Sequence, residues 1–204
     1  LSEVQRLNKN NNIDGILVQL PLPSHIDANE IIEAIIPEKD VDGFSSENVG
    51  KLSLNKPFIS PCTPRGVMKM LDSIKCDLKG KDCVIIGASN IVGRPMAMEL
   101  LNAGGTVQVC HKGTKDIKFK TKSADIIVAA AGVANLVDSE WVKEGAVIID
   151  VGINRLDDGT ITGDVDFEDV KDMVSAITPV PGGVGPMTIA VLLENTLIAY
   201  KAKL

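Results

Sequence analysis

Aromatic residues are scarce in this chain, with one tryptophan, one tyrosine and four phenylalanines among 204 residues. With few stacking platforms and a formal net charge of −6, it has neither the basic surface nor the interleaved aromatics of a nucleic-acid binder. An anionic membrane offers it no attraction either. Histidine is limited to two residues, and Cys62, Cys76, Cys83 and Cys110 lack metal-ligand spacing, so no metal site is expected. Thiols scattered through apolar or turn sequence are the pattern of a reduced, cytosolic protein. No apolar run reaches spanning length and no signal peptide is visible, which leaves the cytoplasm as the expected location and small molecules as the expected partners.

What is present is an ordinary globular composition, 45% hydrophobic and 24% charged, in a chain long enough for one large or two small domains. Strand and helix signals alternate, which predicts an α/β fold with a largely parallel sheet. An apolar run at 13–20 ends in Pro21 and Pro23, and Ile31, Ile32, Ile35 and Ile36 follow at helical spacing, predicting strand, loop and helix. Residues 40–61 are rich in Gly, Ser, Asn and Pro and read as an irregular connection that ends at a helix opening near Pro61-Cys62-Thr63-Pro64. Buried-looking runs follow at 83–86, 106–110, 125–130 and 146–151, with a weaker one at 175–178. The last helix, 187–199, is expected to turn Ile189, Leu192, Leu193, Thr196 and Leu197 toward the first domain. The boundaries that result are 1–60 with 186–204, and 61–185.

Three prolines and three glycines at 178–188, Thr-Pro-Val-Pro-Gly-Gly-Val-Gly-Pro-Met-Thr, separate an apolar run from that last helix. Proline fixes φ and removes donors, while glycine lets another molecule approach the main chain, so the alternation describes a stiff, shaped loop. Pro186 suits the first helical turn.

A strand, small-residue turn and helix are signalled at Val84-Ile85-Ile86-Gly87-Ala88-Ser89-Asn90-Ile91-Val92-Gly93-Arg94-Pro95. Free amides at a helix N-terminus there would suit a pyrophosphate, although Ser89 replaces the second glycine of the dinucleotide fingerprint and the last interval is one residue longer. At the end of the next strand stand His111 and Lys112, where an NAD enzyme usually places an acid for the ribose hydroxyls. A basic residue instead suits a ribose phosphate and favours NADP. His111 is equally compatible with a structural role, and His25 lies in a polar loop.

Gln19 is the only polar side chain in its apolar run, so its amide either caps internal backbone groups or faces a ligand. Pro37-Glu38-Lys39-Asp40-Val41-Asp42-Gly43-Phe44 places two carboxylates on alternate positions before a glycine turn. Such a run is either a solvated turn or, if it lines a cleft, an acceptor for paired N–H donors like those on a pterin edge.

Together these segments, with Asp150-Val151-Gly152-Ile153-Asn154, resemble the bifunctional methylenetetrahydrofolate dehydrogenase/methenyltetrahydrofolate cyclohydrolase family along the whole chain. The resemblance implies a Rossmann-like doubly wound NADP-binding domain, a smaller α/β catalytic domain on which the C-terminal helix packs back, and a homodimer. It implies hydride transfer from methylenetetrahydrofolate to NADP⁺, then hydration of the methenyl cation to formyltetrahydrofolate. It places Asp42 on the pterin edge and Gln19 beside the catalytic lysine, with Val18, Leu20 and the loop of Pro181, Gly182, Gly183, Val184 and Gly185 around the substrate. It places Thr63, Gly87, Ala88, Ser89, Val92, Gly93, Lys112 and Ile153 about the cofactor.

The family's catalytic lysine belongs to a Tyr-x-x-x-Lys motif upstream of the segment matching 15–23, whereas the only tyrosine here is Tyr200. Lys9 is too close to Val18-Gln19-Leu20 to be that lysine. The chain is therefore expected to be the family without its first segment. Two alternatives stand beside this: an NADP-binding module without chemistry, favoured by the missing motif, and a different NADP dehydrogenase acting on a small hydroxy acid, which leaves the Pro-Gly loop unexplained.

Overall fold

Numbered in chain order, the strands are β1 (Asp82–Ile86), β2 (Thr106–Cys110), β3 (Ile126–Ala129), β4 (Val147–Asp150), β5 (Asn154–Arg155), β6 (Ile161–Thr162) and β7 (Ala176–Ile177). The helices are α1 (Ser2–Lys9), α2 (Ala28–Glu33), α3 (Ser46–Ser53), α4 (Cys62–Ser73), α5 (Gly93–Asn102), α6 (Ile117–Thr121), α7 (Phe167–Val170) and α8 (Val184–Lys201). These come from a computed structural model that describes all 204 residues and groups them into two units, 1–62 with 189–204, and 63–188. No helix is long and apolar enough to cross a membrane.

In the 63–188 unit five parallel strands pair in the order β2-β1-β3-β4-β7. Successive strand residues alternate between two cores. Cys83, Ile85, Ile126, Val128 and Ile149 pack with Val67 and Leu71 of α4 and with Met96 and Leu100 of α5. Val84, Ile86, Ile127, Ala129 and Ile148 pack on the other side with Val137, Val142 and Val165. Burial on both faces explains why these strands read as unbroken apolar runs in the sequence. The order reverses between β1 and β3, so the carboxyl ends of β1, β2 and β3 form the switch point at which such sheets bind ligands.

The 1–62 and 189–204 unit departs from expectation. Residues 13–20 form no strand, and their one sheet-like contact is a parallel bridge between Ile16 and Asp40, with Ile16 N–H donating to Lys39 O at 2.7 Å. The run buries Ile16 against Val4, Ile31 and Ile35 instead. Ile13 and Val18 are only partly buried and Leu17 is 43% exposed, so the apolar pattern recorded neither a ladder nor a buried run. The connection at 40–61 also contains a helix, α3, whose N-terminus is capped by Ser45 and whose inner side carries the buried Asn48 and Leu52.

Helix α8 turns a different side inward from the one expected. Val191, Asn195 and Ala199 are buried, with Ala199 packed against Val41 and Ile59, while Ile189, Leu193 and Leu197 are 58%, 68% and 50% exposed. Apolar residues surround this helix on most sides, so periodicity did not select the inner one. The single buried polar residue, Asn195, marks it.

Candidate functional site

At the switch point a cavity of about 570 Å³ is lined by Gly87, Ala88, Ser89, His111, Lys112, Ala130, Ala131 and Val133, with the apolar Ile117, Leu136 and Trp141. This donor set fits a dinucleotide. Apolar side chains suit an adenine, and the exposed Lys112 supplies the cationic group in the lining. Gly87 has φ +126°, and a Cβ there would stand 2.1 Å from Ala130 O, so any side chain would part the β1 and β3 turns.

The phosphate seat expected at the α5 N-terminus is already satisfied. Ser89 Oγ accepts from Val92 N at 3.1 Å and from Gly93 N at 3.4 Å, and Arg94 N donates to Ser89 O at 3.0 Å. The serine that breaks the fingerprint thus caps the helix itself, correcting the expectation of free amides. Val92 and Gly93 lie outside the cavity lining. Gly93 is buried where a Cβ would meet Gly87 O at 2.1 Å, so it serves helix-to-strand packing.

A second cavity, about 270 Å³, gathers Ile153 with Pro181, Gly182, Gly183, Val184 and Gly185, and is floored by Asp150 and Gly152. The loop is shaped closely by its glycines: Gly182 has φ +99°, and a Cβ on Gly183 would meet Pro179 O at 2.4 Å. Val184 opens α8 and is buried in the core as well as lining the cavity. Thr63 lines neither cavity. Its hydroxyl pairs with that of Thr188 at 2.9 Å, tying α4 to α8.

In the other unit the two aspartates separate by role. Asp40, 1% exposed, accepts from the amides of Gly43 (3.0 Å), Phe44 (3.3 Å) and Ser45 (2.8 Å) and from Asn48 Nδ2 (3.0 Å). It is the turn's internal anchor, neither solvated nor available to a ligand. Asp42 is left with one contact, Cys62 Sγ at 3.9 Å from its Oδ1. Burial and the neighbouring Asp40 charge push its pKa up to about 6. Burial and the Asp42 charge push the Cys62 thiol up to about 12, so it stays protonated and donates to Val41 O at 3.3 Å.

Gln19 is exposed and its Nε2 donates to Leu20 O at 3.1 Å, so the premise of a buried amide does not hold. Val18 and Leu20 are half-buried beside it.

Sequence reasoning passed over three buried charges. Lys39, 3% exposed, donates to the carbonyls of Leu7, Asn8 and Asn10 at 2.7–2.9 Å and closes the end of α1. Asp150 accepts from Gly152, Asp164 and Val165 amides, and Asp164 from Ala131, Gly132 and Val133 amides. Lys39 and Asp164 stand among polar and glycine neighbours, whereas Asp150 lies in the run at 146–151 that reads as buried.

Residues 61–204 match the family model "Tetrahydrofolate dehydrogenase/cyclohydrolase, NAD(P)-binding domain", and residues 1–42 match the catalytic-domain model of the same name. The chain belongs to the tetrahydrofolate dehydrogenase/cyclohydrolase family. It is 62% identical over 204 residues to the bifunctional protein FolD of Vesicomyosocius okutanii, covering 100% of this chain and 74% of that protein. A crystal structure of the Campylobacter jejuni bifunctional FolD superposes with a TM-score of 0.97 at 59% identity, covering 100% of this chain and 72% of that one. A Trypanosoma brucei family structure, described as complexed with NADP cofactor and inhibitor, superposes at 0.94 with 42% identity, covering 99% and 71%. Within this family, the cavity at the switch point lies in the NAD(P)-binding domain.

Proposed function

We propose that this chain carries the NADP- and folate-binding groups of a methylenetetrahydrofolate dehydrogenase/methenyltetrahydrofolate cyclohydrolase of one-carbon metabolism. The observation that carries the reading is the switch-point cavity, where Gly87, Ala88 and Ser89 face His111 and Lys112 in a domain matched by the family's NAD(P)-binding model.

In this reading Lys112 neutralises the ribose phosphate of NADP, and the apolar lining shields the adenine from water. The chemistry that bound NADP⁺ would supply is a nicotinamide acceptor for the hydride of the one-carbon bridge. Ile153 borders the nicotinamide, and Pro181 to Gly185 form a rigid rim that keeps the two rings aligned, which is the main demand of a hydride step. Asp42, ionised above about pH 6, accepts the amide and amino hydrogens of the pterin edge. Val18 and Leu20 supply apolar contact, and Gln19 orients the proton-moving lysine. The resemblance assigns that lysine to a Tyr-x-x-x-Lys motif, and no such motif occurs in these 204 residues. The reading therefore gives binding to this chain and turnover to a polypeptide that also carries the motif. It further includes assembly as a homodimer through the nucleotide-binding domain, checked by sedimentation across micromolar concentrations.

The test follows NADPH and methenyl absorbance with this chain and with a longer polypeptide containing the motif. Binding of NADP without turnover here, and both reactions in the longer chain, is the expected result. Full activity from the 204 residues would overturn the assignment of the lysine, and no NADP binding would overturn the cofactor site.

A further inference from the structure

We propose that Asp164 is a positioning residue for the dinucleotide, its carboxylate setting the loop that walls the cofactor cavity. The inference rests on the cofactor reading above. Asp164 is fully buried, and three consecutive amides converge on it: Ala131 at 2.6 Å and Gly132 at 2.9 Å on Oδ2, and Val133 at 3.0 Å on Oδ1. Successive amides turned to one point make an anion-binding concavity. Here the protein's own carboxylate occupies it. The loop so held contributes Ala131 and Val133 to the cavity lining, so where these amides point fixes where that wall stands.

The same carboxylate reaches a second wall. Asn154 Nδ2 donates to Asp164 Oδ1 at 2.9 Å, and Asn154 opens β5 directly after Ile153 of the smaller cavity. Asp164 cannot relocate. Its own amide is held by Asp150 Oδ1 at 2.9 Å, and a Cβ on Gly152 would stand 2.1 Å from Asp164 Oδ1. Each oxygen accepts two hydrogens, so replacing either by an NH₂ sets donor against donor without changing the side-chain volume. Asp164→Asn therefore moves the loop rather than opening a void.

The experiment is NADPH fluorescence titration of the wild-type chain, Asp164→Asn and Asn154→Ala, with amide NMR spectra, at a temperature where circular dichroism shows each folded. The expected result is binding about tenfold weaker for Asp164→Asn and a few-fold weaker for Asn154→Ala. The Ala131, Gly132 and Val133 resonances should shift while those of Val84 and Ile85 in β1 stay in place. A folded Asp164→Asn chain with unchanged NADPH affinity overturns the proposal, even with a lowered melting temperature, because a purely structural carboxylate would act on stability alone. If Asp164→Asn does not fold, Asn154→Ala decides, and its unchanged affinity is equally fatal. A wild-type chain that does not bind NADPH overturns the cofactor reading and this one with it, whereas wild-type binding with unaltered variants overturns this one only.

Discussion

Asn195 Nδ2 lies 2.9 Å from the carbonyl oxygen of Val41, the residue before Asp42, and 2.9 Å from that of Ser60. One buried amide of α8 thus holds both loops that flank Asp42 and Cys62. Asn195→Ala would take the amide donor from Ser60 O and leave Val41 O with only the weak Cys62 thiol donor, at a cost of about 1–3 kcal/mol in urea unfolding. Asn195→Asp should cost more, since it turns an acceptor toward acceptors. A loss below about 0.5 kcal/mol for Asn195→Ala would mean that these carbonyls find other donors.

Asp42 sets opposite demands on stability and binding. Its folded pKa of about 6 lies above the ordinary 3.8, so between those values the folded chain holds a proton that the unfolded chain has lost. Stability is therefore expected to fall as pH rises through that window and to stay lower above it. Asp42→Asn should remove this penalty, stabilising the chain at neutral pH by up to roughly 3 kcal/mol. Folate affinity should move the other way, weakening in the wild type as pH drops through about 6 and weakening at all pH values in the variant. Denaturant midpoints and folate titrations from about pH 4 to 8, which spans that window, check both signs.

Lys112→Ala should weaken NADP⁺ binding by about 1–3 kcal/mol and leave NAD⁺ binding nearly unchanged, because only the former carries the ribose phosphate. Paired titrations decide. Equal losses for both cofactors would place Lys112 elsewhere than on that phosphate.

Lys39→Met keeps the length of the side chain and removes the charged donor from the carbonyls of Leu7, Asn8 and Asn10. The cost should be about 1–3 kcal/mol, since three hydrogen bonds from the ammonium are lost while Leu7 O and Asn10 O keep the amides of Asn10 and Ile13. Hydrogen exchange should show α1 opening first. Uniform protection of α1 in the variant would refute the capping role.

The parallel sheet was legible because β1, β3 and β4 are buried on both faces, and no polar position interrupts their runs. The Pro-Gly loop was legible because its residue types have few other uses. Residues 13–20 were misread because apolar residues also occupy irregular, partly exposed segments, and here Ile16 is buried with one bridge while Leu17 stays exposed. Helix α3 was hidden among Gly, Ser and Asn, although Ser45 before Glu47 and Leu52 was a usable start signal. For α8, apolar residues on most sides left the inward side undetermined. Ser89 was read as a flawed glycine when it is a cap. Asp40 was grouped with Asp42, and Asp150 and Asp164 were given no role of their own, because their partners are mainly backbone amides and the sequence does not reveal which amides turn inward.

Gly152 and Gly163 each face the other pair's carboxylate: a Cβ on Gly152 would strike Asp164 at 2.1 Å, and one on Gly163 would strike Asp150 at 1.9 Å. Enlarging either glycine is blocked while the opposing aspartate stays, and shortening either aspartate strands the amides it receives. The four positions are therefore expected to respond to substitution as one coupled group. A single-substitution scan should find deep intolerance at all four, although two of them are residues with no side chain to lose.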